Sequence, residues 1–512
     1  MMTARQAAVS LPTDAAAMRI RHANDRRLRP GGDYVLYWMI AARRPWWNYA
    51  LDRAIDYARA LHKPLLVFEA LECDYPWASD RLHRFVIDGM RDNAQIFRDM
   101  PVTYVPYVEP RPGAGRGLLA ALAQQACVVI TDEFPCFFLP KIVAAAADRI
   151  DAHLEVVDGN GLIPLAAADR TFAAASAFRR FVQRTLLEHL RVLPRAEPFA
   201  DVTLPVLRAR PAVMVDEWAP AAPALLRDDP EWLGALPIDH LVPPVAMPGG
   251  ARAAVAALDR FVAQRLERYV DLQREPEVDG TSRLSPYLHF GHLSAHQVFA
   301  AVMRHERWSS RKVAAQPARG AREGWWQTSA SAERFLDQLI VWRELAYNTC
   351  ATRPADYDRY ESLPEWARTT LRAHQRDVRG HVYDRETLEA AATHDPLWNA
   401  AQGQMRQEGW FHNYLRMLWG KKVLEWSRTP QQALASMIAI MNRWSLDGRN
   451  PNSYAGYFWT LGRYDRPWPE RPVFGTVRSM SSERTAKKVS VDRYIATFTP
   501  QSSPAQPGER LF

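Results

Sequence analysis

The strongest constraint on the fold is a change of hydrophobic period partway along the chain. In the first third, short apolar or β-branched runs recur: DYVLYWM (33–39), PLLVFEAL (64–71), VTYVPYVE (102–109), CVVITDEF (127–134) and LEVVDG (154–159). Helical stretches such as WWNYALDRAIDYARALH (46–62) and LHRFVIDGMRDNAQIFRDM (82–100) separate them. Strand and helix in alternation predict a Rossmann-like parallel α/β sheet covered by helices on both faces. No GxGxxG follows the first strand, so a dinucleotide fingerprint is absent. From 251 onward the period is almost entirely helical, as in ARAAVAALDRFVAQRLERYVDLQ and SAERFLDQLIVWRELAYNT. That half is expected to be all-α.

These patterns divide the 512 residues into an N-terminal extension (1–30), an α/β domain (31–165), a Pro- and Ala-rich inter-domain linker (166–250), a helical domain (251–495) and a polar Pro/Ser tail expected to be disordered (496–512). Segment 308–327, WSSRKVAAQPARGAREGWWQ, is expected as an exposed loop. No apolar run approaches the roughly 18 residues of a membrane span. The N-terminal stretch lacks the apolar core and cleavage site of a signal peptide. Cys73, Cys127, Cys136 and Cys350 show no CxxC or CxxH spacing, which fits a reducing cytoplasm and argues against structural zinc; no metal site is expected. A net charge of +8 is compatible with a polyanionic partner without requiring one.

Several long motifs stand in one order: DGTSRLSPYLHFG (279–291), DPLWNAAQGQM (395–405), FHNYLRMLWGKKVLEW (411–426), LDGRNPNSYAGYFW (446–459) and YDRPWPERPVFGTVR (464–478). Together they resemble the photolyase/cryptochrome family, and within it the class II cyclobutane pyrimidine dimer photolyases. The likeness covers most of the chain and is strongest from 269 to 495. It implies FAD as cofactor, damaged DNA carrying a cyclobutane pyrimidine dimer as substrate, and a monomer with no membrane partner. The implied reaction is dimer splitting by an electron from light-excited FADH⁻. An antenna pigment of the 8-hydroxydeazaflavin type would sit in the α/β domain, although no residue in 33–165 selects one.

The resemblance assigns Tyr269, Thr281, Ser282, Arg283, Leu284 and Ser285 to FAD, with the hydroxyls on its diphosphate. Read alone, Thr281 and Ser282 are better suited to capping a helix, and it is the surrounding family pattern that turns them toward FAD. Asn413, Arg416, Met441 and Asp447 match positions beside the flavin, and Met417 and Asn413 match neighbours of substrate and flavin. A guanidinium at Arg416, paired with Asp447, would favour the anionic reduced flavin. Trp398, Trp419 and Trp426 match the family's electron-transfer chain, which reduces the flavin to its active state. Trp419 and Trp426 are seven residues apart, so on a helix they rise about 10.5 Å and return close to one face. Trp398 then lies between or beside them from another helix. Trp342 and Trp459 match aromatics flanking the flipped dimer, while Arg466, Trp468 and Arg478 match the segment that fills the gap left in the DNA.

Two positions depart from the family pattern. Four residues before Trp342, where a glutamate normally meets the dimer, stands Gln338, with Asp337 beside it. Six residues before Asp447, where an asparagine normally faces flavin N5, stands Met441, with Asn442 next. Glutamine cannot supply a proton, and methionine cannot donate a hydrogen bond. These departures motivate a second reading, a photolyase-like light sensor that reduces flavin without repairing DNA. A DNA-binding protein that has lost its flavin is a third, and it predicts a colourless preparation.

Overall fold

A computed structural model describes residues 14–216, 218, 230–314 and 319–500. The five anticipated runs form strands β2 (Tyr34–Met39), β3 (Leu65–Leu71), β4 (Thr103–Val108), β5 (Ala126–Asp132) and β6 (Leu154–Val157), paired in parallel. A sixth strand, β1 (Ile20–His22), closes one edge antiparallel to β6, giving the order β1-β6-β5-β2-β3-β4. The N-terminal stretch expected as an extension thus joins the sheet; three residues are too few to carry a period. Side chains alternate across β2. Leu36 and Trp38 enter the core on one face, and Val35, Tyr37 and Met39 the other.

The stretch 166–250, expected as a linker, contains the 15-residue helix Ala175–His189. Its Arg179 is buried and bonds Asp337 through Nε at 2.7 Å. At the far end, the helix Asp492–Phe498 runs into the stretch expected as a tail, whose residues 501–512 lie outside the described residues. Segment 308–327 is held at both ends. The Trp308 indole donates to the Trp326 carbonyl at 2.8 Å, and Trp325 and Trp326 are buried, so this is not a wholly exposed loop; 315–318 lie outside the described residues.

The described residues fall into two compact units. The first comprises the chain up to Asp271 with Thr281–Arg359 and Leu446–Ala455; the second comprises Leu272–Gly280, Tyr360–Ser445 and the chain from Gly456. The compositional boundary at 250 is therefore not the boundary between units, because 251–271 and 281–359 fall in the same unit as the sheet, where the helix Ala251–Gln264 packs on the helix Asp80–Ile96. Gly291 shows how closely. At φ +73°, a Cβ there would fall 1.6 Å from the Ala41 carbonyl oxygen. No strand occurs among the described residues after 251, as the helical period requires. No helix among them is long and apolar enough to cross a membrane.

Candidate functional site

In the second unit, DPLW begins a helix by ordinary end chemistry. Asp395 caps Pro396–Glu408 by accepting from the Trp398 N–H at 3.0 Å, Pro396 occupies the first turn, and Gly409 ends it at φ 66°. The following helix, Asn413–Trp426, is buried along most of its length, including Lys421 and Lys422. Trp398 lies against both indoles of that helix. Its ring is stacked on Trp419 (centroids 6.0 Å apart, 9° between planes) and edge-on to Trp426 (5.5 Å, 69°). Its Nε1 donates to the Trp419 carbonyl at 3.0 Å, and Trp419 Nε1 donates to Gln402 Oε1 at 3.0 Å. All three rings are buried, at 0 %, 2 % and 2 % exposure. The order in space is Trp419, Trp398, Trp426, with the residue from the neighbouring helix in the middle.

A second cluster in the same unit gathers Trp459, Arg466, Trp468 and Arg478. The Arg478 guanidinium lies 4.0 Å from the Trp468 ring centre and 5.8 Å from that of Trp459, and Arg466 lies 5.3 Å from Trp468. Asp465 holds the group together, pairing with Arg478 Nε at 3.2 Å and accepting from Trp468 Nε1 at 3.2 Å. Lys421 belongs here too, although the sequence reading missed it. Fully buried, it donates from Nζ to the Thr460 carbonyl at 2.6 Å and lies 4.8 Å from the Trp459 ring centre. No local pattern marks Lys421 as buried, and only the packing around its helix shows it.

Burial pulls the Lys421 ammonium down from its ordinary 10.5 to about 7. Below pH 7 folded and unfolded chains both carry the charge, and the folded chain bears the full cost of burying it. Stability should therefore rise with pH from about 7 until the unfolded lysine also discharges near 10.5. Denaturant titrations across that window should show the rise in the native protein and its loss in Lys421→Met.

In the first unit, Gln338 and Trp342 share one π-helical turn, Asp337–Trp342, between the helices Ala330–Leu336 and Arg343–Thr352. Such turns favour functional sites because they re-aim side chains within a helix. Asp337, Leu339, Ile340 and Val341 are buried on this turn, leaving Gln338 and Trp342 partly exposed. Asp337 does not replace the absent glutamate. Both its carboxylate oxygens are engaged by Arg179, at 2.7 and 3.2 Å. Asn442 does not replace the absent asparagine either. The helix Pro430–Trp444 runs unbroken through Met441 and Asn442, so they diverge by about 100°. The Asn442 carboxamide oxygen accepts from the Tyr457 hydroxyl at 3.4 Å, and Met441 is buried.

The TSRLS segment also lies in the first unit. Ser285 opens the short helix Ser285–His289, whose cap residue Leu284 makes no side-chain capping bond; Thr281 and Ser282 are thus not its caps. Arg283 is left-handed at φ 53°, and Ser282 Oγ accepts from Leu284 N–H at 3.4 Å, leaving its own hydrogen to donate. The Thr281 and Ser285 hydroxyls engage no other group among the described residues, and both are partly exposed. Three donor hydroxyls and a guanidinium within five residues suit a diphosphate, so the donor set fits FAD. Tyr269 is buried edge-on to Phe261 and Phe335. Asp447 belongs to the first unit, with its backbone carbonyl accepting from Ser453 Oγ at 2.6 Å. Asn413, Arg416 and Met417 occupy the opening turns of their helix in the second, where Arg416 Nε donates to the Phe411 carbonyl at 3.2 Å.

An aromatic cavity opens beyond the carboxyl ends of β2, β3 and β5, where the strand order reverses. Trp38, Ala70, Phe134, Phe137 and Tyr75 line it, with Arg43, Glu72, His289 and Arg449 as polar groups. This is where open α/β sheets place ligands. Asp132, ending β5, shapes its wall by accepting the N–H groups of Ile40, Ala41 and Ala42 at 2.8–2.9 Å. No residue spacing betrays this cavity, since its lining comes from loops far apart in the chain.

This sheet and its helices form the photolyase fold. A bacterial class III photolyase from Agrobacterium tumefaciens matches with a TM-score of 0.65 over 91% of this chain and 86% of that one; at 16% identity the likeness is one of fold. Sequence likeness runs as far. The chain is 32% identical to the deoxyribodipyrimidine photo-lyase of Methanothermobacter thermautotrophicus over 94% of its own length and 97% of the relative's. It is 32% identical to that of Oryza sativa subsp. japonica over 93% of its own length and 90% of the relative's. No family model matches the chain. The chain belongs to the deoxyribodipyrimidine photo-lyase family.

Proposed function

We propose that this protein is a light-driven DNA repair enzyme of the class II type, a monomer that splits cyclobutane pyrimidine dimers. The observation that carries the reading is the assembly of scattered motif residues. Trp398 touches both Trp419 and Trp426, and Trp459, Arg466, Trp468 and Arg478 gather around Asp465. When bound, reduced FAD supplies the light-excitable electron. Tyr269, Thr281, Ser282, Arg283, Leu284, Ser285, Asn413, Arg416, Met441 and Asp447 are the residues assigned to hold it, with the Arg416 cation favouring its anionic form. Trp419, Trp398 and Trp426 deliver electrons inward when the cofactor must be recharged. Trp342 and Trp459 are each assigned to contact the extruded dimer by stacking, while Arg466, Trp468 and Arg478 meet phosphate and the orphaned bases. Gln338 binds the dimer edge through its carboxamide, without a carboxylate's charge, and Met417 packs beside the substrate. The cavity beyond β2, β3 and β5 is the seat assigned to a planar antenna pigment of deazaflavin type.

Purified protein, photoreduced without oxygen and given an oligonucleotide with one thymine dimer, should recover thymine absorbance in light and not in darkness. Light-driven flavin reduction without recovery would overturn the repair reading in favour of a light sensor. Gln338→Glu should raise the repair yield, because a carboxyl can stabilise the charge that develops on the dimer; electrostatic contacts of this kind contribute about 3 kcal/mol. Met441→Asn should alter the course of photoreduction by restoring a donor on that helix face. Unchanged quantum yields in both variants would show that neither position meets the reacting groups.

A further inference from the structure

Arg466, Trp468 and Arg478 stand on either side of a tight turn. Arg471 and Gly475 exchange backbone bonds across it at 2.9 and 2.8 Å, and the Trp468 N–H donates to the Thr476 carbonyl at 2.8 Å. The turn is mounted on the C-terminal end of the helix Glu365–Ala373, in the same unit. Thr370 Oγ1 accepts the Thr476 N–H at 2.9 Å, and Asp377 Oδ2 accepts the Val473 N–H at 2.9 Å. Gly475 sits so close, at φ 54°, that a Cβ there would fall 2.7 Å from His374 Cδ2.

His374, the residue that closes the helix, supplies a further mount. Its Nδ1 lies 2.7 Å from Asp377 Oδ2, and its Nε2 lies 2.7 Å from Glu470 Oε1, just ahead of the turn. A carboxylate oxygen only accepts, so both ring nitrogens must carry a proton for both bonds to exist. The geometry is that of an imidazolium; a neutral ring would turn a lone pair toward one of the carboxylates. A cation is also well placed at a helix C-terminus.

We infer that His374, in its protonated form, is a positioning residue that clamps the turn beside Trp468 through Glu470 and Asp377. The inference rests on the reading of Arg466, Trp468 and Arg478 as the segment that fills the gap left by an extruded dimer. With the clamp closed, the turn is ordered before DNA arrives, and less ordering remains for binding to impose. When the ring loses a proton, one of its two bonds is lost. Glu470 is the arm that releases, because its side chain is 66 % exposed and Asp377 is also held by the Val473 N–H.

The hydrogen bond to Asp377 raises the pKa of His374 above its ordinary 6.5; burial opposes this, while the bond to Glu470 and both negative charges add to it. Asp377 is itself held below its ordinary range by the Val473 N–H and by His374 and Arg379. These are the charged groups that act on the ring from the helix end and from the turn. The clamp is therefore fully formed below pH 6.5 and opens as pH rises through the raised folded value.

The experiment titrates flavin-loaded protein with dimer-containing and undamaged duplex from about pH 6 to about pH 9, and follows hydrogen exchange of the turn amides at matched pH. Native affinity for dimer-containing duplex should fall as pH rises by about two- to five-fold, the range of an exposed ion pair, with undamaged duplex little affected. His374→Gln should sit at the weakened level throughout, with faster exchange of the Val473 and Thr476 amides. Lys421, which titrates at about 7 beside Trp459, contributes equally to native protein and to His374→Gln, so their difference isolates the histidine. Glu470→Gln leaves one carboxylate on the ring and should move the midpoint of the native profile to lower pH. An unmoved midpoint would overturn His374 as the titrating group, and equal exchange of the turn amides in native protein and His374→Gln would overturn the clamp. A loosened turn with no selective loss of dimer-containing DNA would instead overturn the gap-filling reading on which the inference rests.

Discussion

Trp398→Phe should abolish light-driven flavin reduction while sparing repair by protein reduced chemically beforehand. Trp398 is the only one of the three chain indoles found in contact with both others. Phenylalanine fills most of the same space, yet its ring does not give up an electron at the potentials that suffice for indole, so the row is cut at its centre. The substitution also removes the Nε1 bond to the Trp419 carbonyl and leaves a small cavity in a fully buried site, costing about 1–3 kcal/mol of stability. That cost is why the comparison must be made on folded, flavin-loaded protein matched by absorbance. Photoreduction at the native rate in this variant would remove Trp398 from the route. Loss of repair even after chemical reduction would assign the residue to the fold rather than to electron transfer.

Trp459→Ala should weaken binding of dimer-containing DNA and leave binding of undamaged duplex nearly unchanged. Stacking of an extruded base on an aromatic wall contributes about 1–3 kcal/mol, which corresponds to about 5- to 150-fold in Kd. Lys421 and Arg478 lie close to this ring, which orients it. Arg466→Ala is the contrasting case. A phosphate contact should be lost equally from both DNAs, and the slope of log affinity against log salt should fall by about 0.9. Titrations of both variants with both oligonucleotides at several salt concentrations separate the two roles. Equal losses for damaged and undamaged DNA in Trp459→Ala would remove it from the dimer pocket.

Much of this site was legible because its parts are local. Asp395, Pro396 and Gly409 mark one helix by end chemistry alone, and the seven-residue step from Trp419 to Trp426 places both indoles on one side of the next. The five parallel strands are readable from their apolar runs, since a strand buried on both faces needs no alternation. The linker reading of 166–250 shows where composition misleads. Proline and alanine mark breaks, but the Ala175–His189 helix within it is amphipathic and supplies Arg179, which engages Asp337. Asp337 itself stands beside Gln338 in sequence, and only the position of Arg179 shows that its carboxylate is already committed.

By itself, then, the sequence determined most of the elements and the family, and it nominated the candidate site residues, because helix ends, periods and motif order are properties of neighbours in the chain. What only the tertiary structure decided is which of those residues meet. It places Trp398 between Trp419 and Trp426, buries Lys421 beside Trp459 and opens the aromatic cavity at the strand-order reversal. These are contacts between side chains carried on different elements. Their distances depend on how helices and loops pack, and packing minimises exposed apolar area and unpaired polar atoms over a whole compact unit. No single segment contains that information.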